Sequence, residues 1–261
     1  MKIIFFSKKT AILTILIIFL LGIIFLFLFL ILQYSYNPHI EVSSYSSNFL
    51  NKVSSLTNQQ EKVAYLTFDD GPTIKSTPKI LDILAEENIK ATFFVIGKYV
   101  QHHPDIVKRA YDDGHYIANH GYDHKNQNLY SSNESFINEI KHTDEEIGKA
   151  VGIENYSSHV FRFPNGFFSP NYKSNKKNCV KLLESMDYTY IDWNCLNRDS
   201  ERKYSNQQLL NNLKKTSKNK GTLVVLMHDT CDVNSSYMVL KESINFLREQ
   251  GYSFKNFYDL Q

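Results

Sequence analysis

Hydrophobic residues are distributed in two different ways along this chain. From residue 10 to residue 32 the sequence TAILTILIIFLLGIIFLFLFLIL contains no charged residue, and as a helix it is long enough to cross a hydrocarbon core of about 30 Å. From residue 61 onward, short apolar runs that predict strands alternate with stretches that predict amphipathic helices. The two patterns predict one N-terminal transmembrane helix followed by an α/β domain.

The charges around the apolar run predict its orientation. Lys2, Lys8 and Lys9 precede it and no comparable cluster follows, so the positive-inside rule places residues 1–9 in the cytoplasm as a short N-terminus. The run is longer than the apolar region of a cleaved signal peptide, and no small-residue cleavage site follows it. We therefore expect residues 10–32 to be a transmembrane signal anchor of a single-pass cell-membrane protein, with everything after it extracellular.

The remainder divides into a tether and a domain. Residues 33–60 are rich in Ser, Asn and Gln and have little hydrophobic periodicity, which predicts an extracellular linker. Residues 61–261 are enough for one domain with a real core. The net charge of the 261-residue chain is +2, so bulk charge does not indicate a nucleic-acid partner. There is no Gly-rich phosphate loop, and nucleotide binding has no support.

Cysteine spacing excludes one class of metal site. The three cysteines, Cys179, Cys195 and Cys231, are scattered without a CxxC pair, so neither a zinc–cysteine site nor a disulfide framework is indicated. Buried free thiols are the favoured interpretation. Whether one pair forms a disulfide outside the cell stays open.

Periodicity predicts seven strands and six helices within the domain. The strands are predicted over residues 63–68, 91–96, 115–119, 159–163, 187–193, 222–227 and 252–254. The helices are predicted over residues 76–87, 98–112, 133–150, 174–185, 206–217 and 237–249. The runs Thr92–Ile96 and Leu223–Met227 are continuously apolar, which is typical of parallel strands buried on both faces. An open doubly wound sheet and a barrel both fit this order.

Polar residues cluster at one end of the predicted strands. In a parallel α/β fold, the carboxyl ends of the strands meet at the edge where enzymes build their sites. The residues at or just after those ends are Asp69, Asp70, His120, Arg162, Asp199 and His228. We expect these side chains to meet in one site.

The motif Thr67-Phe68-Asp69-Asp70-Gly71-Pro72 places two carboxylates side by side at a strand end. Adjacent carboxylates repel, so we expect each to have a different partner, one on a metal and the other free beside it as a base. A polar turn before Gly-Pro is the alternative that this motif alone leaves open.

Histidines further along the chain favour the metal. In the segment His120-Gly-Tyr-Asp-His124 the imidazoles are four residues apart, a spacing that lets both reach one ion from a helical turn or a tight loop. Two histidines and a carboxylate would leave coordination positions open for water. His228 ends an apolar strand and could act as an acid near neutral pH, although a capping His-Asp turn would also explain it.

Taken in order, four segments resemble the successive motifs of the polysaccharide deacetylases, the NodB-homology domain of carbohydrate esterase family four. They are Thr67–Pro72, His120–His124, Arg162-Phe163-Pro164 and Leu226-Met227-His228. The resemblance spans residues 61–261. It implies a deformed (β/α) barrel with fewer than eight strands, here about seven parallel strands, and metal-dependent removal of N-acetyl or O-acetyl groups from polysaccharides.

The resemblance also implies roles for individual residues. Asp70, His120 and His124 match the ligands of one divalent metal ion, for which zinc is expected and cobalt or another transition metal is left open. Asp69 matches the general base that acts on a metal-activated water, and His228 matches the acid that protonates the sugar amine.

Other matches concern residues around that centre. Arg162 matches the arginine that orients the catalytic aspartate, with a bidentate grip expected. Asp199 resembles the carboxylate that tunes the histidine acid, and Asp192 is a rival for that role. The residues matched to substrate binding are Leu226, which would line the acetyl pocket, and Pro164 and Asn165.

Two positions depart from the family pattern. Asn165 stands where a tyrosine is usual, but the oxyanion donor there is a backbone N–H, which any residue supplies. Ser200 stands where a tryptophan usually follows the tuning aspartate. Trp193 is the only tryptophan, and we expect it to pack in the core.

These matches predict an extracellular deacetylase of N-acetylated glycan, with peptidoglycan N-acetylglucosamine as the expected substrate. An O-acetyl esterase acting on xylan-type glycan is the enzymatic alternative, because the same chemistry cleaves esters. A catalytically inactive wall-binding protein is the other alternative, although every acid, base and ligand type is retained. Glucosamine versus muramic acid specificity, the metal used in the cell and the oligomeric state stay open.

Overall fold

The computed structural model of the protein describes residues 21–22, 47–230 and 233–261. Residues 21–22 are helical and belong to a unit that spans Met1–Glu41, whereas the other described residues belong to a compact unit, Val42–Gln261. The predicted anchor over residues 10–32 falls outside the described residues except for these two. No described helix is both long and apolar enough to cross a membrane. The anchor therefore stays a prediction.

Strands and helices alternate along the larger unit, as the periodicity predicted. The strands are β1 (Val63–Gly71), β2 (Thr92–Val95), β3 (Tyr116–Asn119), β4 (Val160–Phe161), β5 (Thr189–Tyr190), β6 (Cys195–Leu196), β7 (Leu223–His228) and β8 (Ser253–Lys255). The helices are α1 (Ser47–Ser55), α2 (Thr77–Glu86), α3 (Gly97–His102), α4 (Pro104–Asp112), α5 (Asn126–Leu129), α6 (Asn133–Val151), α7 (Lys173–Ser185), α8 (Asn206–Ser217) and α9 (Tyr237–Glu249). Short 3₁₀ helices span Leu56–Asn58 and Phe257–Leu260.

The sheet is parallel throughout and follows the order β5-β4-β3-β2-β1-β7-β6. One edge of β1 is shared, because its first residues pair with β8 and its later residues pair with β2. The two ends of the path, β5 and β6, are consecutive in sequence but do not pair, so the half-barrel is open between them. The predicted α/β fold with about seven parallel strands is confirmed, and β6 is a short strand that the sequence did not predict.

Alternating side chains divide the apolar core into two parts. From β1, Leu66 and Phe68 point outward and pack with residues of the covering helices such as Ile80 and Leu240. Tyr65, which directly precedes Leu66, points to the opposite face and packs with inward residues of other strands. Strands buried on both faces explain the continuous apolar runs in β2 and β7.

Helix α1 lies under the inner core and corrects the predicted linker. Its residues Phe49 and Val53, with Leu56 of the following 3₁₀ turn, are almost fully buried in the inner cluster. Their spacing of four and three residues forms one helical face. The prediction of a linker over residues 33–60 is therefore wrong for residues 47–58, which fold as part of the domain.

Two further predictions have clear outcomes. The helix predicted over residues 98–112 is two helices, because His103 leaves the helical conformation before Pro104 begins α4. Cys179 and Cys195 are buried free thiols, as expected. Cys231 lies outside the described residues.

Candidate active site

The predicted polar residues meet at the carboxyl edge of the half-barrel. Inward-facing positions of β1 and β7 are apolar near the amino ends of the strands and become polar toward their carboxyl ends. On β1, Tyr65 is followed on the same face by Thr67 and then Asp69. Asp69 pairs in register with His228. Period-2 alternation in parallel strands therefore brings side chains from distant parts of the sequence onto one interior layer.

An irregularity in β1 separates the two adjacent carboxylates. The pairing of β1 with β2 shifts between Asp69 and Gly71, and Asp70 between them is in the left-handed region with φ of 72°. A non-glycine residue rarely adopts this conformation outside turns and functional sites. Gly71 is required next, because a Cβ there would lie 2.2 Å from Asp229 Oδ2. Asp69 consequently points toward Arg162, whereas Asp70 points toward two histidines.

Asp70, His120 and His124 form a set of potential metal ligands, as predicted. Asp70 Oδ1 lies 3.4 Å from His120 Nε2 and 3.5 Å from His124 Nε2, and the three ligand atoms lie within 4.8 Å of one another. Tetrahedral bonds of about 2.0–2.1 Å would place ligand atoms about 3.3 Å apart. Asp70 Oδ1 is also buried without a hydrogen-bond partner. The set fits a divalent ion that accepts nitrogen and oxygen ligands.

Neighbouring groups hold the two histidines in place. His120 Nδ1 contacts the Arg162 carbonyl oxygen at 2.8 Å, which leaves Nε2 directed at Asp70. The segment from His120 to His124 is a tight loop, which is one of the two geometries, a helical turn or a tight loop, that the sequence predicted. It is held by Asn119 Oδ1, which accepts from the backbone N–H of Gly121 at 2.9 Å. Glu139 Oε2 accepts from the next backbone N–H at 2.7 Å.

The protonation of this set responds to burial and to its own charges. Burial favours the neutral form of Asp70, but the nearby imidazole of His120 outweighs it and holds the pKa of Asp70 well below its usual range. The pKa of His120 is raised, because the charges of Asp69 and Asp70 outweigh burial. The pKa of His124 is lowered by burial and by the nearby His120. An ionised carboxylate is thus in place for a cation.

Asp69 is held by a fully buried arginine. Arg162 has no exposed surface, and its guanidinium stacks 3.9 Å from the centre of the Phe94 ring. Arg162 Nη1 donates to Asp69 Oδ1 at 2.8 Å and also to Thr67 Oγ1 at 2.7 Å. The expected pairing is confirmed, but the bidentate grip is wrong, because the other guanidinium nitrogens donate to backbone carbonyl groups. Asp69 Oδ2 is left facing the metal-ligand set, 3.9 Å from His120 Nε2.

His228 has a carboxylate behind it. Its Nδ1 contacts Asp199 Oδ1 at 2.6 Å, and its backbone N–H donates to Asp199 Oδ2 at 2.7 Å. Burial alone would lower the pKa of His228, but Asp199 raises it to about 9. The rival Asp192 instead accepts from the backbone N–H of Phe167 at 2.9 Å. The structure therefore pairs Asp199, not Asp192, with the histidine.

Known proteins are similar to this chain in sequence and in fold. A model of the polysaccharide deacetylase family matches residues 57–191. The chain belongs to the polysaccharide deacetylase family. It is 30% identical over 205 residues to the peptidoglycan-N-acetylmuramic acid deacetylase PdaA of Bacillus subtilis, covering 78% of this chain and 73% of that protein. It is 31% identical over 234 residues to a peptidoglycan-N-acetylglucosamine deacetylase of Bacillus cereus, covering 86% and 78%.

The fold agrees with solved structures of the same family. The catalytic domain of a peptidoglycan N-acetylglucosamine deacetylase from Eubacterium rectale superposes with a TM-score of 0.68 at 29% identity. The match covers 75% of this chain and 88% of that domain. This polysaccharide deacetylase is therefore a hydrolase that acts on amide bonds.

The residues matched to substrate binding lie around the same edge of the deacetylase. Leu226 shares the inward face of β7 with His228, two residues later, and is buried. Pro164 is buried, whereas Asn165 is exposed and left-handed with φ of 64°. Trp193 is partly buried against the inner core, so it packs as expected. It also lies against Gly166, where a Cβ would meet its ring at 2.8 Å.

Two supporting residues were not predicted. Lys176 is fully buried and its Nζ donates to the Gly166 carbonyl oxygen at 2.6 Å, which holds the loop that carries Asn165. Asp229 accepts from Thr77 Oγ1 at 2.7 Å, and burial raises the pKa of Asp229 to about 8. For the close packing of Asp229 against Gly71, the sequence signal is that both residues directly follow predicted site residues. Nothing in the spacing of Lys176 indicates its burial.

Proposed function

We propose that this polysaccharide deacetylase removes N-acetyl groups from the N-acetylglucosamine residues of extracellular peptidoglycan, with one divalent metal ion. The observation that carries the proposal is the position of Asp69 and His228. Each flanks the potential metal ligands, and each is held by an oppositely charged partner, Arg162 or Asp199. Both relatives named above support peptidoglycan as the substrate, and the Bacillus cereus relative, named as an N-acetylglucosamine deacetylase, supports the choice of sugar.

Asp70, His120 and His124 would hold the metal, for which zinc is our first choice. When bound, the ion supplies Lewis-acid chemistry, because it lowers the pKa of a water molecule and polarises the acetamide carbonyl group. The remaining steps belong to residues of the chain.

Asp69 is the proposed base. Its Oδ2 faces the ligand set while its Oδ1 accepts from Arg162, so the carboxylate can take a proton from the attacking water without turning. The water oxygen bonds to the acetyl carbon, and the carbonyl electrons move onto its oxygen. The backbone N–H of Asn165 is the proposed donor to that oxyanion. Leu226 offers an apolar wall for the acetyl methyl group.

His228 is the proposed acid. Asp199 holds Nδ1 and keeps the imidazole protonated, which leaves Nε2–H as the donor toward the site. Proton transfer from Nε2 to the sugar nitrogen accompanies cleavage of the C–N bond. The products are acetate and the free amine of the sugar.

Release of acetate tests this proposal. The zinc-loaded full chain is incubated with peptidoglycan fragments, chitooligosaccharide and acetylated xylan, and the mass of each product is measured. We expect Asp69→Asn to abolish acetate release while zinc stays bound, because the ligands are untouched. Asp112→Asn is the matched control at an exposed carboxylate. Binding without release from any glycan would favour the inactive alternative, and release from xylan alone would favour the esterase.

The proposal also includes a location. We propose that residues 10–32 anchor the protein in the cell membrane with the catalytic domain outside, next to the wall. The uncharged run and the preceding lysines support this orientation. Protease added to intact protoplasts should degrade the domain, and a protected domain would contradict the topology.

A further inference from the structure

A second cleft lies at the same edge of the sheet as the metal ligands. It measures about 260 Å³ and lies between residues 72–75, Thr230, and the side chains of Tyr99 and His103. Pro72 comes two residues after Asp70, and Thr230 comes two residues after His228. None of the residues that line the cleft has a role in the proposed chemistry.

The walls of this cleft are tied to the catalytic loops by backbone hydrogen bonds. At the start of α3, the N–H of Gly97 donates to the Gly121 carbonyl oxygen at 3.0 Å. The N–H of Lys98 donates to the Tyr122 carbonyl oxygen at 2.8 Å. Since these carbonyls lie between His120 and His124, the helix that carries Tyr99 is fixed to the loop of the ligands. A group bound in the cleft would therefore lie at a fixed position relative to the metal site.

Two apolar side chains are exposed at the cleft. Ile74 is 66% exposed and Tyr99 is 40% exposed, although isoleucine is among the residue types that proteins most often bury. An exposed aromatic ring gives a flat apolar surface with a polar end, which suits the C–H face of a sugar ring. The cleft therefore has the form of a subsite for a second sugar of the chain.

The charge of the cleft is positive. Of the described residues that line it, Lys75 and His103 carry basic side chains, and none carries a carboxylate. Lys75 is exposed, and none of the ion pairs formed by lysines among the described residues includes its ammonium group. The basic side chains of these described residues favour an anionic ligand.

We propose that this cleft binds a carboxylate-bearing sugar next to the sugar that loses its acetyl group. The inference rests on the proposed function and narrows its substrate class. Chitin-type and xylan backbones are neutral, whereas the muramic acid residues of peptidoglycan carry a lactyl group that ends in a carboxylate or in a stem peptide with carboxylates of its own. Lys75 binds that carboxylate while Tyr99 contacts the ring.

Kinetics on three substrates test the inference. The zinc-loaded full chain acts on peptidoglycan strands stripped of peptide, on strands with intact peptides and on chitooligosaccharide. Because an exposed charge pair is worth up to about fivefold in binding, we expect Lys75→Gln to raise KM about three- to fivefold on the charged strands. We expect kcat to stay unchanged, and chitooligosaccharide to show no effect. Tyr99→Ala should raise KM on all three substrates.

Lys98→Gln is the matched control. Lys98 is an exposed lysine that directly precedes Tyr99 on α3, but it does not line the cleft. A larger effect of Lys75→Gln on stripped strands assigns the carboxylate to the lactyl group, and a larger effect on intact strands assigns it to the peptide. Equal effects on charged and neutral substrates, or none, would overturn the inference. Wild-type protein that releases acetate from no glycan would instead refute the proposed function.

Discussion

Replacing Asp199 with asparagine would remove the charge that keeps a proton on His228. Burial opposes the protonated imidazole, yet Asp199, 2.6 Å from Nδ1, raises the pKa of His228 from 6.5 to about 9. A rise of that size corresponds to about 3 kcal/mol in favour of the protonated form. Because burial would remain and only the smaller effects of the Asp69 and Asp70 charges would still favour the proton, we expect the pKa of His228 in Asp199→Asn to fall toward the ordinary 6.5.

The pH profile of kcat/KM measures this change, because its alkaline limb reports the acid of the free enzyme. Wild type and variant are compared at equal zinc loading, since the ion adds positive charge and lowers the pKa of His228 in both. We expect the alkaline limb to move about two pH units lower in the variant. An unmoved limb, with the fold verified by circular dichroism, would refute the role of Asp199.

The same pair predicts a pH dependence of stability. The pKa of His228 is higher in the folded protein than the ordinary 6.5. The interaction with Asp199 therefore stabilises the fold fully below about pH 6.5, and this contribution is lost as the pH rises through about 9. Urea unfolding should accordingly show the greatest loss of stability for Asp199→Asn in acid and the smallest above pH 9. A loss that is equal at all pH values would mean that asparagine disturbs packing rather than charge.

Two further changes test the fold around the site. Arg162→Met leaves Asp69 buried without its partner, so we expect the free energy of unfolding in urea to fall by about 3–5 kcal/mol. The control Arg109→Met, at an exposed arginine, should lower it by at most about 1 kcal/mol. Equal losses in the two variants would contradict this reasoning. Deleting residues 47–58 exposes the inner core, and at about 1.5–3 kcal/mol for each of three large side chains we expect most of the stability to be lost. An unchanged melting temperature would contradict a structural role for α1.

Hydrophobic patterns in the sequence were sufficient to predict the longer strands of the sheet but not its shortest ones. Strands such as β1 and β7 are long enough for periodicity to identify them, whereas the two-residue strand β6 is too short to show a period. Helix α1 carried a signal, because Phe49, Val53 and Leu56 have helical spacing. It was outweighed by the polar composition around it, and only tertiary packing shows that this face is buried.

Site residues were predictable where the chemistry demands a residue type at a strand end. Asp70, His120 and His124 could be identified because metal ligands come from few residue types. The choice between Asp192 and Asp199 could not be made, since both follow the same strand region and only the path of the chain after β6 brings Asp199 to His228. Lys176 was not predicted, because a buried lysine contradicts the usual rule that lysines are exposed.

The charges of the site explain how two adjacent aspartates fit there. With neutral ligand histidines, the carboxylates Asp69, Asp70 and Asp199 outnumber the cations Arg162 and His228 by one. A bound divalent ion would change the net charge of the site from one negative to one positive. Because the oxyanion formed from the acetamide is negative, the site then favours the transition state over the neutral substrate. The left-handed turn at Asp70 makes this possible, since it gives the neighbouring carboxylates separate cations.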